Sequence, residues 1–130
     1  MNIDLSWENA AQTILRITLC PGWSWEDLYS ALYLHDQWLT GIDHPVNTII
    51  DCSEAGALPD DHDKFRRSFT GDAREFRVGM TVLVGKGSLV RPILEVMMYI
   101  RSTKTGKQVC LLARTVYEAH SLLAVRSGAA

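Results

Sequence analysis

Near the start of the chain apolar and polar side chains alternate twice. Ile3, Leu5 and Trp7 stand against Asp4, Ser6 and Glu8, and then Leu15, Ile17 and Leu19 stand against Ile14, Arg16 and Thr18. A period of two puts each set on its own face of an extended chain, so two strands are predicted, each with one buried side. The connection at Asn9-Ala10-Ala11 is short enough to pair them as an antiparallel hairpin, although it lacks an Asn-Gly turn.

Pro21-Gly22 stops the second strand, and Ser24-Trp25-Glu26-Asp27 reads as a hydroxyl N-cap followed by acids in a first helical turn. Trp25, Leu28, Tyr29, Leu32, Leu39 and Ile42 then recur at helical spacing, which predicts a helix from about residue 24 to about residue 40, ending near Gly41. Three short apolar runs follow, Val46 to Cys52, Thr81 to Val84 and Val109 to Leu112, and runs without alternation suit interior strands. Between them lie two segments of helical period: Asp60 to Phe76, carrying Phe65 and Phe69, and Ser88 to Arg101, carrying Leu89, Ile93, Val96, Met97 and Ile100.

Thr115-Val116-Tyr117-Glu118 has the spacing of a capping box and opens a last helix through Ala119, Leu122, Leu123 and Arg126, leaving residues 127–130 as a tail. The order is β-β-α-β-α-β-α-β-α. Strands alternating with helices pair in parallel through right-handed crossovers. The expectation is one α/β domain over residues 1–126 with a mixed five-stranded sheet, an N-terminal antiparallel hairpin leading into parallel strands.

In that order of elements the chain resembles the STAS, or anti-sigma-factor antagonist, domain. The residues that carry the likeness are Thr48-Ile49-Ile50-Asp51-Cys52-Ser53 at the third strand, Val82-Leu83-Val84-Gly85 at the fourth, and Thr115 to Leu123 in the closing helix. The family's phosphoacceptor segment after the third strand, Asp-Ser-Ser-Gly-like, does not carry over, because this chain reads Ser53-Glu54-Ala55-Gly56-Ala57-Leu58-Pro59-Asp60 there. Glu54 beside Ser53 would repel a phosphate.

Charge narrows the range of partners. Thirteen Lys and Arg against fifteen Asp and Glu give a net charge of −2, and no stretch concentrates bases as a phosphate-tracking surface requires, so nucleic acid is not expected. Arg66, Arg67, Arg74 and Arg77 are interleaved with Asp60, Asp61, Asp63, Asp72 and Glu75, the pattern of a solvated helix face. Cys20, Cys52 and Cys110 are odd in number and sit in or at the ends of apolar runs, which predicts free thiols in a reducing, cytoplasmic setting. No uncharged stretch approaches the ~20 residues that span a bilayer, so no membrane association is expected.

Candidate chemistry is sparse. Ligands of open α/β sheets gather outside the carboxyl ends of the parallel strands. A ligand-binding rim would there include Trp23, Asp51, Ser53, Gly85, Lys86, Gly87 and Ser88. Gly85-Lys86-Gly87-Ser88 would hold an anion at a helix N-terminus, or simply form a tight turn with its cap. Asp60-Asp61-His62-Asp63 gathers metal-capable groups, but acids before a helix also suit its dipole, and no further ligand stands at zinc or calcium spacing. His35, His44 and His120 lie on separate elements, and a triad with Cys52 or Ser53 would need the fold to assemble it. No catalytic residue, metal site or cofactor is assigned.

The segment from Ser88 to Arg101 is the least ordinary. Only Arg91 and Glu95 interrupt its apolar character, so either the same fold covers it or Val90, Leu94 and Met98, with Arg91, form a stripe that meets another chain. Trp23, Tyr33 and Trp38 fall off the main stripe of the first helix, where they would pack in the core or line a groove. These features favour a non-enzymatic interaction or regulatory module that forms a homodimer or docks a protein partner. The alternative is a small-molecule or anion binder, conceivably an enzyme, that uses the strand-end rim.

Overall fold

The computed structural model describes residues 2–60, 78–101 and 109–126. Its elements are β1 (Ile3–Trp7), β2 (Ile14–Leu19), α1 (Trp25–Leu39), β3 (Val46–Asp51), β4 (Val78–Val84), α2 (Gly87–Arg101), β5 (Val109–Ala113) and α3 (Val116–Arg126). The strands form one sheet in the order β1-β2-β3-β4-β5. β1 runs antiparallel to β2, and each later neighbour is parallel. This is the α/β class and the mixed sheet that the apolar pattern implies. The predicted helix over 60–76 lies outside the described residues from 61 onward, as does the tail at 127–130.

The hairpin closes through a side chain. Asn9 Oδ1 accepts from the Thr13 amide at 3.0 Å and Asn9 Nδ2 donates to Thr13 Oγ1 at 2.6 Å, while Gln12 adopts a left-handed φ of 57°. An asparagine spanning its own turn thus replaces the missing Asn-Gly signal. At α1 the expected cap forms. Ser24 Oγ accepts from the Asp27 amide at 3.0 Å, and Asp27 Oδ2 accepts from the Ser24 amide at 3.2 Å. The cap of α3 is half of the predicted box: Thr115 Oγ1 accepts from the Glu118 amide, but Glu118 Oε2 reaches the Arg114 amide instead of that of Thr115.

The parallel strands are added in one direction across the sheet, and right-handed crossovers then bring successive helices to the same face. α1 and α2 accordingly share one core cluster, in which Ile17, Leu19, Ile50 and Leu83 meet Leu28, Leu32, Ile93 and Val96. α3 packs on the opposite face, where Ala119 and Leu123 cover Ile49, Val82, Val84 and Ala113.

Burial decides several side chains that helical spacing left open. Val90 is buried with Ile93, Val96 and Met97, and Leu94 packs half-buried against the same cluster, so much of the apolar surface of α2 is covered by its own fold. Of the stripe proposed to meet another chain, Arg91 is exposed, and the side chain of Met98 lies outside the described residues. Trp23 is buried, edge-on to Trp25 at 4.9 Å. Tyr29, expected in the core, is instead 38% exposed, and Tyr33 and Trp38 are exposed with it. Trp38 lies 6.1 Å from Trp7 on the edge strand β1.

Candidate functional site

Part of the carboxyl-end rim is packed. Trp23, Cys52, Ala55 and Val90 all belong to the core beneath it. Gly85 has a φ of 148°, and a Cβ there would lie 3.2 Å from Val90 Cγ1 and 3.4 Å from Cys52 Cβ, which explains why this position carries no side chain. Lys86, Gly87 and Ser88 are exposed, and the Lys86 carbonyl accepts from the Leu89 and Val90 amides, the ordinary start of a helix. Trp23 Nε1 is buried and has no hydrogen-bond partner among the described residues.

Asp51 ends β3 on the face toward α3, and its carboxylate is already engaged. Oδ1 accepts from both the Ser53 amide at 3.0 Å and the Ser53 hydroxyl at 2.6 Å, and Oδ2 pairs with Arg16 Nη2. The parallel register sets Arg16 opposite Ile49 and Thr18 opposite Asp51, so Arg16 reaches one diagonal step along the sheet to make this pair. Its other nitrogen, Nη1, lies 3.3 Å from Glu8 Oε1, and Glu8 Oε1 in turn lies 3.5 Å from His120 Nε2 on α3. A polar chain from Ser53 through Asp51, Arg16 and Glu8 to His120 therefore crosses this face from one end of the strands toward the other.

The electrostatics follow from that geometry. Burial by itself would raise the Asp51 pKa, but the two hydrogen bonds from Ser53 and then the Arg16 charge outweigh it, and the carboxyl is held below its usual range. Burial likewise opposes the charge on Arg16, yet the hydrogen bond and charge of Asp51, with Glu8 added, raise its pKa further. Cys52, next in sequence but on the opposite face, has its thiol pushed up to about 12 by burial and secondarily by the Asp51 charge. A protonated, buried thiol is a poor nucleophile.

The histidines are dispersed. His35 is buried under α1 with Nε2 2.8 Å from Thr48 Oγ1 and Nδ1 3.1 Å from Asp36 Oδ1. His44 Nε2 lies 2.9 Å from the Gln12 carbonyl. His120 stands at the end of the polar chain, and no histidine contact to Cys52 or Ser53 occurs among the described residues. Asp61, His62 and Asp63 lie outside the described residues, as do Arg66, Arg67, Arg74 and Arg77. Among the described residues no three His, Cys, Asp or Glu side chains gather as a metal site requires.

The sequence did not point to the opposite end of the sheet, where an open groove of about 780 Å³ lies between α3 and the first residues of β2, β3 and β4. Thr13, Asn47 and His120 give its polar points, and Ile14, Pro45, Met80, Leu123 and Ala124 give most of its wall. α3 covers β3 to β5, and the starts of β2 and β3 are left beside its C-terminal half. Asn47 and Gly79 stand near the starts of adjacent strands, a pairing that no spacing along the chain reveals.

Compared with known proteins, the chain matches no family model, no curated protein and no solved structure. Among the described residues no helix is long and apolar enough to cross a membrane.

Proposed function

We propose that this domain is a non-enzymatic interaction module, STAS-like in fold, that pairs with a second copy of itself along β5. The observation that carries the reading is the position of β5. It is the last strand of the sheet, it pairs with β4 alone among the described residues, and its sequence Val109-Cys110-Leu111-Leu112-Ala113 is wholly apolar. Leu112 on it remains 38% exposed. An edge of this kind is a template for another strand unless charge or a bulge protects it.

A two-fold axis beside β5 would set two copies of the strand antiparallel and extend the sheet through both subunits. Exposed Arg91 on α2 and Tyr117 on α3, from the elements flanking β5, would border the contact. Three reduced cysteines, two of them partly exposed, support a reducing compartment such as the cytoplasm. Anion or substrate binding at the carboxyl-end rim has less support, because the Asp51 oxygens are engaged and the positions around Gly85 are packed.

Sedimentation across a concentration series tests the reading. The wild-type chain is expected to associate reversibly, and Leu112→Lys, at an exposed position, is expected to sediment as a folded monomer. A wild-type chain that stays monomeric at every concentration would overturn it.

A further inference from the structure

The groove at the amino ends of the parallel strands has polar groups whose orientation the fold dictates. Asn47 Oδ1 accepts from the Met80 amide at 2.8 Å. A backbone N–H can only donate, so the oxygen of the side-chain amide must face it and Nδ2 must face away. Thr13 is fixed by the same logic. Asn9 Oδ1 is held by the Thr13 amide, Asn9 Nδ2 therefore donates to Thr13 Oγ1, and the Thr13 hydroxyl proton is left to donate elsewhere. Both residues line the groove, and both offer it donors.

Apart from His120 the remaining wall is apolar, and the volume of about 780 Å³ falls within the range of small-molecule sites. Charge selects further. Glu8, 3.5 Å from His120 on the wall, shares the single guanidinium of Arg16 with Asp51, so these two carboxylates and one guanidinium sum to a net negative charge that disfavours an anionic head group. We propose that the groove binds a small, uncharged, mostly apolar molecule, about the size of a bicyclic aromatic, that presents a carbonyl or amide oxygen to Asn47 Nδ2 and Thr13 Oγ1. The groove uses α3 and the starts of β2 to β4, whereas self-association along β5 uses a different edge, so the two proposals fail separately.

The probe is 2-naphthamide, titrated into isotope-labelled full-length protein and followed by amide NMR at neutral pH. Saturable shifts are expected at the Asn47 side-chain amide and at the Met80 and Ala124 backbone amides. The anionic isostere 2-naphthoate is expected to bind about tenfold more weakly, the effect of ~1.4 kcal/mol. Ala124→Trp, at an exposed wall position, should abolish the shifts while the remaining spectrum stays native. Thr13→Val should weaken the amide probe and leave the site otherwise intact. The proposal is overturned if 2-naphthamide gives no saturable shift in the folded protein, if 2-naphthoate binds equally well, or if Ala124→Trp leaves binding unchanged.

Discussion

Asn47 Oδ1 stands where a side chain on Gly79 would have to be. It accepts from the Met80 amide at 2.8 Å, while the Asn47 backbone amide donates to the Thr13 carbonyl at 2.8 Å. The side chain thereby takes a rung of the β3–β4 ladder at the point where the register shifts between Val46 and Thr48. It also ties the starts of β2, β3 and β4 together under the groove.

Gly79→Ala should therefore be costly even though alanine suits a strand as well as glycine does. Its Cβ would overlap Asn47 Oδ1, and displacing that oxygen leaves the Met80 amide unpaired, a loss of about 1–3 kcal/mol. In urea denaturation the midpoint should fall with little change in slope. Adding Asn47→Ala should make the alanine at 79 nearly neutral in the double-mutant cycle, and strictly additive losses would contradict the account.

Asp51 sets a pH dependence. Its folded pKa is lowered, so its contribution to stability is present above the unfolded carboxylate value of about 3.9 and disappears as pH falls through the lower folded value. Asp51→Asn should be less stable than wild type by about 2 kcal/mol at neutral pH. That is below the ~3–5 kcal/mol of a fully buried pair, because Arg16 is 29% exposed and retains Glu8. The difference should shrink as the two proteins are acidified, and parallel acid-unfolding curves would count against this role.

Cys52 sets the opposite limb. The folded thiol holds its proton to about 12, whereas an unfolded thiol releases it near ~8.5. The folded state then binds more protons than the unfolded state above ~8.5, so stability should fall as pH rises beyond that value. Cys52→Ala should flatten this alkaline decline. Peptide mapping after iodoacetamide treatment at mildly alkaline pH should find Cys52 unmodified until urea opens the core, and native-state labelling at the rate of a free thiol would refute its burial.

Much of the architecture was legible because it follows from local rules. The period of two at Ile3–Trp7 and Leu15–Leu19, the Ser24–Asp27 cap and the unbroken apolar runs each report the surroundings of a few consecutive residues. Strands separated by helical returns have little choice but parallel pairing. The same rules misplaced Tyr29 and overstated the free surface of α2, since a helical stripe tells which side chains share a face and not how wide a neighbour covers it.

The site was hidden for a related reason. Ser53, Asp51, Arg16, Glu8 and His120 come from the turn after β3, β3 itself, β2, the hairpin turn and α3, and only register and packing bring them into one line. The groove depends on α3 crossing to the face that α1 and α2 leave open, and on Asn47 meeting Gly79 on the neighbouring strand. Periodicity along the chain dictated which of the described residues would be strand or helix and which side chains would share a face. Distances between segments far apart in sequence are decided by packing and strand register, and these alone determined where polar groups converge and where space remains.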